Sequence, residues 1–436
     1  MNANLTFSQA FPPPIERSDI QPEASSAAPG QPHSQLFSSF VALAAGLPRI
    51  DSGNQVDFVL EHLRLKDVGV IAGSMVLLGT GTSFMVYALS DSDEADGQAR
   101  YVFKRTVPLI NKPRDADASF QARVRAMMLE LRTLAHPPIN KHENIVKLLG
   151  LAWETDHFDI TRKWPVFVVE RATGGTLADL LQSETVIQLD ARLNLMLDTV
   201  LGLEVLHACG IIHGDIKLEN VLVFGTSGAS GDDRPFIAKL ADFSSAMFNP
   251  TETSRLSSGT WPWNAPEWRD QLYADGLRQT DVYSLGFTLW RLLANGKHPF
   301  LGFNQGSNEA WGNQVDSLKV DDEAMRNHFL GISGFETDME NHLSEKIIKS
   351  TLRRNPVDRN IAEAKNAIIN VIRCPRCVSK SISCVDLFIL RLKRCLGTLQ
   401  TLVALPITNT NCGILSYQCV PLGRDVFRIG SGTESV

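Results

Sequence analysis

Cysteine is scarce in this chain. Seven residues among 436, an odd number in so long a sequence, exclude a disulfide framework and point to a reducing compartment. A basic surplus is missing too. The net charge is −6, opposite in sign to what electrostatic nucleic-acid binding requires, so no nucleic-acid partner is expected. No run of about twenty residues is apolar throughout, as a spanning helix would need. "LFSSFVALAAG" is too short, and "VDLFILRLKRCLGTLQTLVAL" is interrupted by Arg391, Lys393 and Arg394, so no membrane span is expected. The opening "MNANLTFSQAFPPP" lacks the basic start of a secretory signal and meets proline early. No internal repeat stands out. The expected location is cytoplasmic, with the nucleus as the alternative.

What is present is ordinary globular composition, 44% hydrophobic and 21% charged. The length suits two or three domain-sized units, or one bilobal enzyme with extensions. Residues 1–60 are rich in Pro, Ser, Gln and Ala; they bury too little apolar surface to offset chain entropy and are expected to be a disordered tail. The 36–45 patch in it is a candidate docking helix, although a fluctuating segment suits it better. Then "SMVLLGTG", "FMVYALS", "YVFKRTV", "IVKLLGLAWE" and "WPVFVVER" read as strands, with "SFQARVRAMMLELRTL" as a helix among them. After "TGG" the chain turns to long helices, interrupted by the hairpin "NVLVF…FIAKLADF". The expected fold is α+β and bilobal: a small β-rich lobe with its hinge at 61–172, a larger helical lobe at 173–375, and an extension at 376–436. The cleft between the lobes is the expected ligand site.

The chemistry-bearing residues fall in order along this frame. In "LGTGTSFMVY", Gly79 and Gly81 allow backbone N–H groups to approach a phosphate, although an ordinary glycine hairpin reads the same way. Lys104 stands in an apolar strand, where an ammonium is costly unless it meets an anion. Glu130 in the next helix is a candidate partner; two solvated surface charges are the alternative. In "HGDIKLEN", Asp215 can accept a proton from a hydroxyl, Lys217 can neutralise a phosphoryl group, and Asn220 offers an oxygen to Mg²⁺. Asp242 in "LADFS" is a second metal-ligand candidate, and "WNAPEW" follows with Glu267.

The ordered set Gly-x-Gly, Lys, Glu, His-x-Asp-x-Lys-x-x-Asn, Asp-Phe-x and Ala-Pro-Glu resembles the eukaryotic protein kinase family over about residues 74–373. Asp281 in "DVYSLG" and Arg359 in "RRNPVDRN" extend the likeness, the latter as partner of Glu267. The resemblance implies ATP and Mg²⁺ as cofactors and a protein substrate. Lys104, paired with Glu130, would hold the phosphates under Gly79 and Gly81, and Asp215 would be the base with Lys217 beside it. Asn220 and Asp242 would bind the metal. Leu78, Val86, Val102 and Leu222 would wall the adenine, Val169 would be the gatekeeper, and Glu170 to Ala172 would form the hinge. Lys217 and Thr260 are similar to the Ser/Thr branch. No motif identifies a regulatory partner.

Three departures qualify the resemblance. Gly214 stands where the family's phosphate-sensing arginine precedes the catalytic aspartate, so the segment "NPTETSRLSSG" is expected to need no phosphorylation for activity. Ser244 replaces the glycine of Asp-Phe-Gly. Phe84 replaces the third loop glycine and is expected to stiffen the phosphate lid. A pseudokinase scaffold and a small-molecule phosphotransferase, in which His-Gly-Asp also occurs, are the alternatives; Lys217 and Glu267 favour a protein substrate. The run "RCPRCVSKSISC" offers Cys374, Cys377 and Cys384, with Cys395 beyond. They lack the second pair a zinc site needs and read as ordinary cysteines.

Overall fold

The computed structural model describes residues 75–89, 101–107, 116–155, 163–183, 187–226, 234–248, 250–300, 303, 308–335, 337–373, 417–422 and 426–431. The proposed tail at 1–60, the 36–45 patch, the basic-interrupted run near 391 and the four late cysteines lie outside these residues. No described helix is long and apolar enough to cross a membrane.

Five strands, β1 (Met75–Thr80), β2 (Phe84–Leu89), β3 (Tyr101–Thr106), β4 (Leu148–Thr155) and β5 (Lys163–Glu170), form one antiparallel sheet in the order β1-β2-β3-β5-β4. Their β-branched and aromatic residues suit a pleated surface, and side chains alternate between its faces. The register pairs Val86 with Lys104, Val102 with Val169 and Lys104 with Phe167. Phe84, Val102, Phe167 and Val169 belong to one core, which also contains Val124, Met127 and Leu131 of helix α1 (Ala116–Leu134). Tyr101, Phe103, Val166 and Val168 form a separate core. The mid-sheet β3 is therefore buried on both faces, and the side that carries Lys104 is the side that meets α1. A short helix α2 (Pro137–Asn140) leads into β4.

The helical lobe begins with α3 (Leu177–Gln182) and the long α4 (Leu189–Ala208). Two short pairings follow. Strand β6 (Ile211–Ile212) pairs with β9 (Met247–Phe248), and β7 (Val221–Gly225) pairs with β8 (Phe236–Leu240). Between β6 and β7 lies the loop holding Asp215, closed by a 3₁₀ turn at Leu218–Asn220. Helix α5 (Ala274–Leu293) is buried on nearly every side, as expected of a central helix with no polar stripe. Helices α6 (Asn308–Lys319), α7 (Asp322–Ser333), α8 (Asp338–Thr351) and α9 (Ile361–Arg373) complete the lobe. Trp263, Tyr283, Phe287, Trp290, Phe300 and Phe329 form a second, aromatic core there.

Residues 381–436 form a separate unit. Within it β10 (Tyr417–Leu422) and β11 (Val426–Ser431) pair antiparallel, from Tyr417–Ser431 to Leu422–Val426.

Candidate active site

Lys104 Nζ donates to Glu130 Oε1 at 2.7 Å and to Asp242 Oδ1 at 3.2 Å. Lys104 and Glu130 are both buried, so the alternative of two solvated surface charges does not hold. The other Glu130 oxygen accepts the Phe243 N–H at 2.7 Å, which ties α1 to the segment after β8. Burial pushes the Lys104 ammonium toward neutrality, but the carboxylates of Asp242 and Glu130 more than offset it, and its pKa ends raised. Burial likewise favours the acid form of Asp242. The Lys104 charge, hydrogen bonds from Ser244 and Lys104, and nearby His213 prevail, holding that carboxyl at about 2.

Asp242 lies two residues past the end of β8 with a left-handed φ of 62°. Ser244 is not among the positive-φ residues, so a side chain in the glycine's place costs no backbone strain. Phe243 is fully buried, its ring 5.2 Å from that of His213.

The loop after β6 is hung on Asp281 of α5. The buried Asp281 carboxylate accepts the His213 N–H at 2.7 Å and the Gly214 N–H at 2.9 Å, and meets His207 Nε2 at 2.9 Å. Gly214 has φ of 79°, and a Cβ added there would meet the Ser245 carbonyl oxygen at 2.7 Å. Glycine is therefore favoured by the backbone here, a reason separate from the absence of an arginine.

Asp215 is held from three sides. Its Oδ1 accepts the Thr260 hydroxyl at 2.6 Å, and its Oδ2 accepts Lys217 Nζ at 2.7 Å and Asn220 Nδ2 at 3.1 Å. Lys217 also donates to Thr260 Oγ1 at 2.6 Å. Asn220 Nδ2 reaches the Asp215 carbonyl at 2.7 Å as well. With its nitrogen so engaged, the Asn220 amide oxygen remains as a ligand atom. Together with the ionised Asp242 it offers the hard oxygen donors that suit Mg²⁺.

The remaining predicted residues surround this centre. Val86, Val102 and Val169 lie on the Lys104 side of the sheet. Gly79 is the penultimate residue of β1, next to a bulge at Leu78, which is half exposed, and Gly81 opens the turn to β2. Leu222 is half-buried on β7, and Ala172 follows β5. Glu170 is fixed by its carboxylate, which accepts Lys239 Nζ at 2.7 Å and the Lys147 N–H at 2.8 Å.

Phe84 departs from expectation. Its ring does not stiffen a lid; it is 3% exposed, in the core beneath the sheet. It lies with its face 4.5 Å from Lys104 Nζ and edge-on to Phe167 at 5.8 Å. The period-two alternation of β2, which puts Phe84 and Val86 on one face, carried that signal.

Further out, Arg359 grips both oxygens of Glu267, with Nη2 to Oε2 at 2.9 Å, and also donates to the Gln279 carbonyl at 2.8 Å. The segment 250–260 is anchored by apolar contact. Leu256 is buried with Ile212 and Leu277, flanked by Met247 and Leu272. Ser254 pairs its backbone with Leu272 in both directions at 2.8 Å, and the Ser258 hydroxyl reaches that of Ser245 at 2.7 Å. Sequence reasoning does not single out His207, Lys239 or Leu256. Only Leu256 carries a signal, as the one apolar side chain of its size in "NPTETSRLSSG".

Comparison with known families matches a protein kinase domain to residues 74–367, more than half of the chain. Receptor-interacting serine/threonine-protein kinase 1 of Homo sapiens is 30% identical over 37% of this chain and 24% of its own length. Serine/threonine-protein kinase unc-51 of Caenorhabditis elegans is 29% identical over 52% of this chain and 24% of its own length. Mitogen-activated protein kinase kinase kinase nsy-1, from the same organism, is 31% identical over 52% of this chain and 14% of its own length. The chain thus spans about a quarter or less of these relatives. The matched residues run from the start of β1 past Arg359 and so take in the whole site, and the chain belongs to the protein kinase family.

Proposed function

We propose that this chain is a serine/threonine protein kinase that uses Mg²⁺-ATP and phosphorylates protein hydroxyls. The observation that carries the reading is a pair of sets, Glu130–Lys104–Asp242 and Asp215–Lys217–Asn220, tied together where the Ala241 N–H donates to the Asn220 carbonyl at 2.9 Å. In this reading Lys104 binds phosphate oxygens, and Val86, Val102, Val169, Leu78 and Leu222 enclose the adenine. Gly79 and Gly81 cover the phosphates, and Glu170 to Ala172 present hinge groups to the base. Asp215 orients the acceptor hydroxyl and takes its proton; Lys217 sits where charge builds on the phosphoryl. Bound Mg²⁺, held by Asn220 and Asp242, would neutralise phosphate charge. Catalysis is then positioning and electrostatics rather than covalent chemistry.

A polypeptide acceptor is supported by Lys217, 2.7 Å from Asp215, and by the Glu267–Arg359 lock that fixes the Ala-Pro-Glu segment. Independence from activation-segment phosphorylation is supported by Leu256, whose burial does the anchoring that an arginine–phosphate pair would otherwise do. We place the protein in the cytoplasm or nucleus on composition, which cell fractionation tests. We also propose the domain limits 61–172, 173–375 and 376–436, which limited proteolysis tests.

Transfer of labelled phosphate from Mg²⁺-ATP to a basic protein by wild type, Asp215→Asn and Lys104→Met tests the activity. Incorporation by wild type and loss in both variants is expected. Nucleotide binding without turnover across a broad peptide library would favour a second reading, a weak or dead kinase-fold scaffold, for which the Phe84 ring against Lys104 speaks. Alanine at Thr251, Thr253, Ser254, Ser257 and Ser258 together is expected to leave activity in place; abolished activity in a folded protein would defeat the independence claim.

A further inference from the structure

We propose that Phe84 is a specificity residue of the nucleotide site, an intrachain competitor that sets how strongly Lys104 binds phosphate. The inference rests on the reading of the cleft as a nucleotide site. Lys104 Nζ meets Glu130 at 2.7 Å, Asp242 at 3.2 Å and the face of Phe84 at 4.5 Å. The first two are carboxylates, from an α1 residue and the residue after Ala241. The third is an aromatic face, which attracts the ammonium through its quadrupole, and does so more strongly where water is excluded. That same negative face repels an anion. A polyphosphate that reaches Lys104 must therefore draw the ammonium off the ring or displace the ring itself.

The register shows why the ring is there. Val86 pairs with Lys104 and Phe84 with Thr106, so Phe84 lies two residues farther along the same sheet face as Val86, toward the loop that opens β2. A glycine at this position would leave the Lys104 ammonium bare on that side. Phe84 instead fills the space and is held by Phe167. Adenine contacts, made by the valines, are not touched by this competition. The effect should thus scale with phosphate number and vanish for the nucleoside.

The test is a calorimetric binding series with adenosine, ADP and a non-hydrolysable ATP analogue plus Mg²⁺, on full-length wild type, Phe84→Gly and Phe84→Leu. Phe84→Leu keeps the core filled but removes the π face, so it serves if the glycine variant does not fold. The ratio of adenosine to ATP-analogue dissociation constants within each protein is the readout, and it is insensitive to overall stability. Phe84→Leu is expected to raise that ratio by about threefold and Phe84→Gly by about tenfold, the scale of one desolvated cation–π contact. An unchanged or lowered ratio, with adenosine still bound, overturns the role of Phe84 alone. No adenosine binding by wild type or either variant overturns the nucleotide reading, and this proposal with it.

Discussion

Gly214→Ala isolates what the glycine before Asp215 does for the fold. An alanine must hold φ of 79°, a left-handed geometry that costs an L-residue roughly 1–2 kcal/mol. Its Cβ would also stand 2.7 Å from the Ser245 carbonyl oxygen, a backbone atom that cannot swing aside. Relieving that overlap means shifting the loop or the β9 approach, at roughly 1–3 kcal/mol, the range for overpacked sites. The sum is about 2–5 kcal/mol. For a domain of this size each kcal/mol moves the midpoint by about 2–4 °C, so the Tm should fall by roughly 4–20 °C in a scanning-fluorimetry or calorimetric melt. Gly79→Ala is the internal control: an added Cβ meets nothing within 4 Å there and φ is not positive, so its Tm should move by no more than about 2 °C. Equal melts for wild type and Gly214→Ala would refute the reasoning. The same geometry predicts that Gly214→Arg, which restores the family residue, is destabilised too and acquires no dependence on phosphate.

Other perturbations follow from single contacts. Arg359→Ala leaves Glu267 without its bidentate partner in a mostly buried site; chemical denaturation should show a loss of about 3–5 kcal/mol, and less for Arg359→Lys. Glu130→Gln keeps an acceptor for the Phe243 N–H but removes one of two charges on Lys104; nucleotide affinity and turnover should both fall, while Asp242 limits the stability loss to about 1–3 kcal/mol. Leu256→Asp places a carboxylate in the Ile212–Leu277 cluster and should lower kcat at least about tenfold while leaving the KM for ATP near wild type. Burial among aromatics, then the Arg291 charge, pull His298 down to about 4. Its folded pKa is depressed, so the unfolded chain binds the extra proton between about pH 6.5 and 4, and stability falls as pH drops through that window at up to roughly 1.4 kcal/mol per pH unit. His298→Leu should flatten that slope in melts taken from pH 7 to 5.

The order of the motifs makes the fold and the centre of the site legible, because phosphoryl chemistry constrains residue type at each step. An acid, a lysine and an asparagine within six positions are what a phosphoryl in transfer requires, and Asp215, Lys217 and Asn220 do meet. What the chain order leaves hidden is whatever depends on direction rather than identity. Glu130 looks like one helical charge among several until the α1 face that buries it is known. Phe84 opens a strand in the β pattern yet holds a loop position in the motif; the strand pairing does start there, and alternation turns it inward onto Lys104. Gly214 is the sharpest case. Motif comparison defines it by the arginine it lacks, whereas the backbone defines it by its φ and the Ser245 oxygen beside it. Both statements bear on the same step. The space an arginine would leave by is lined by Leu256, whose Cδ2 lies 3.6 Å from the added Cβ position. In the proposed reading, the buried leucine at that spot stands beside the path such an arginine would take and anchors the activation segment in its stead.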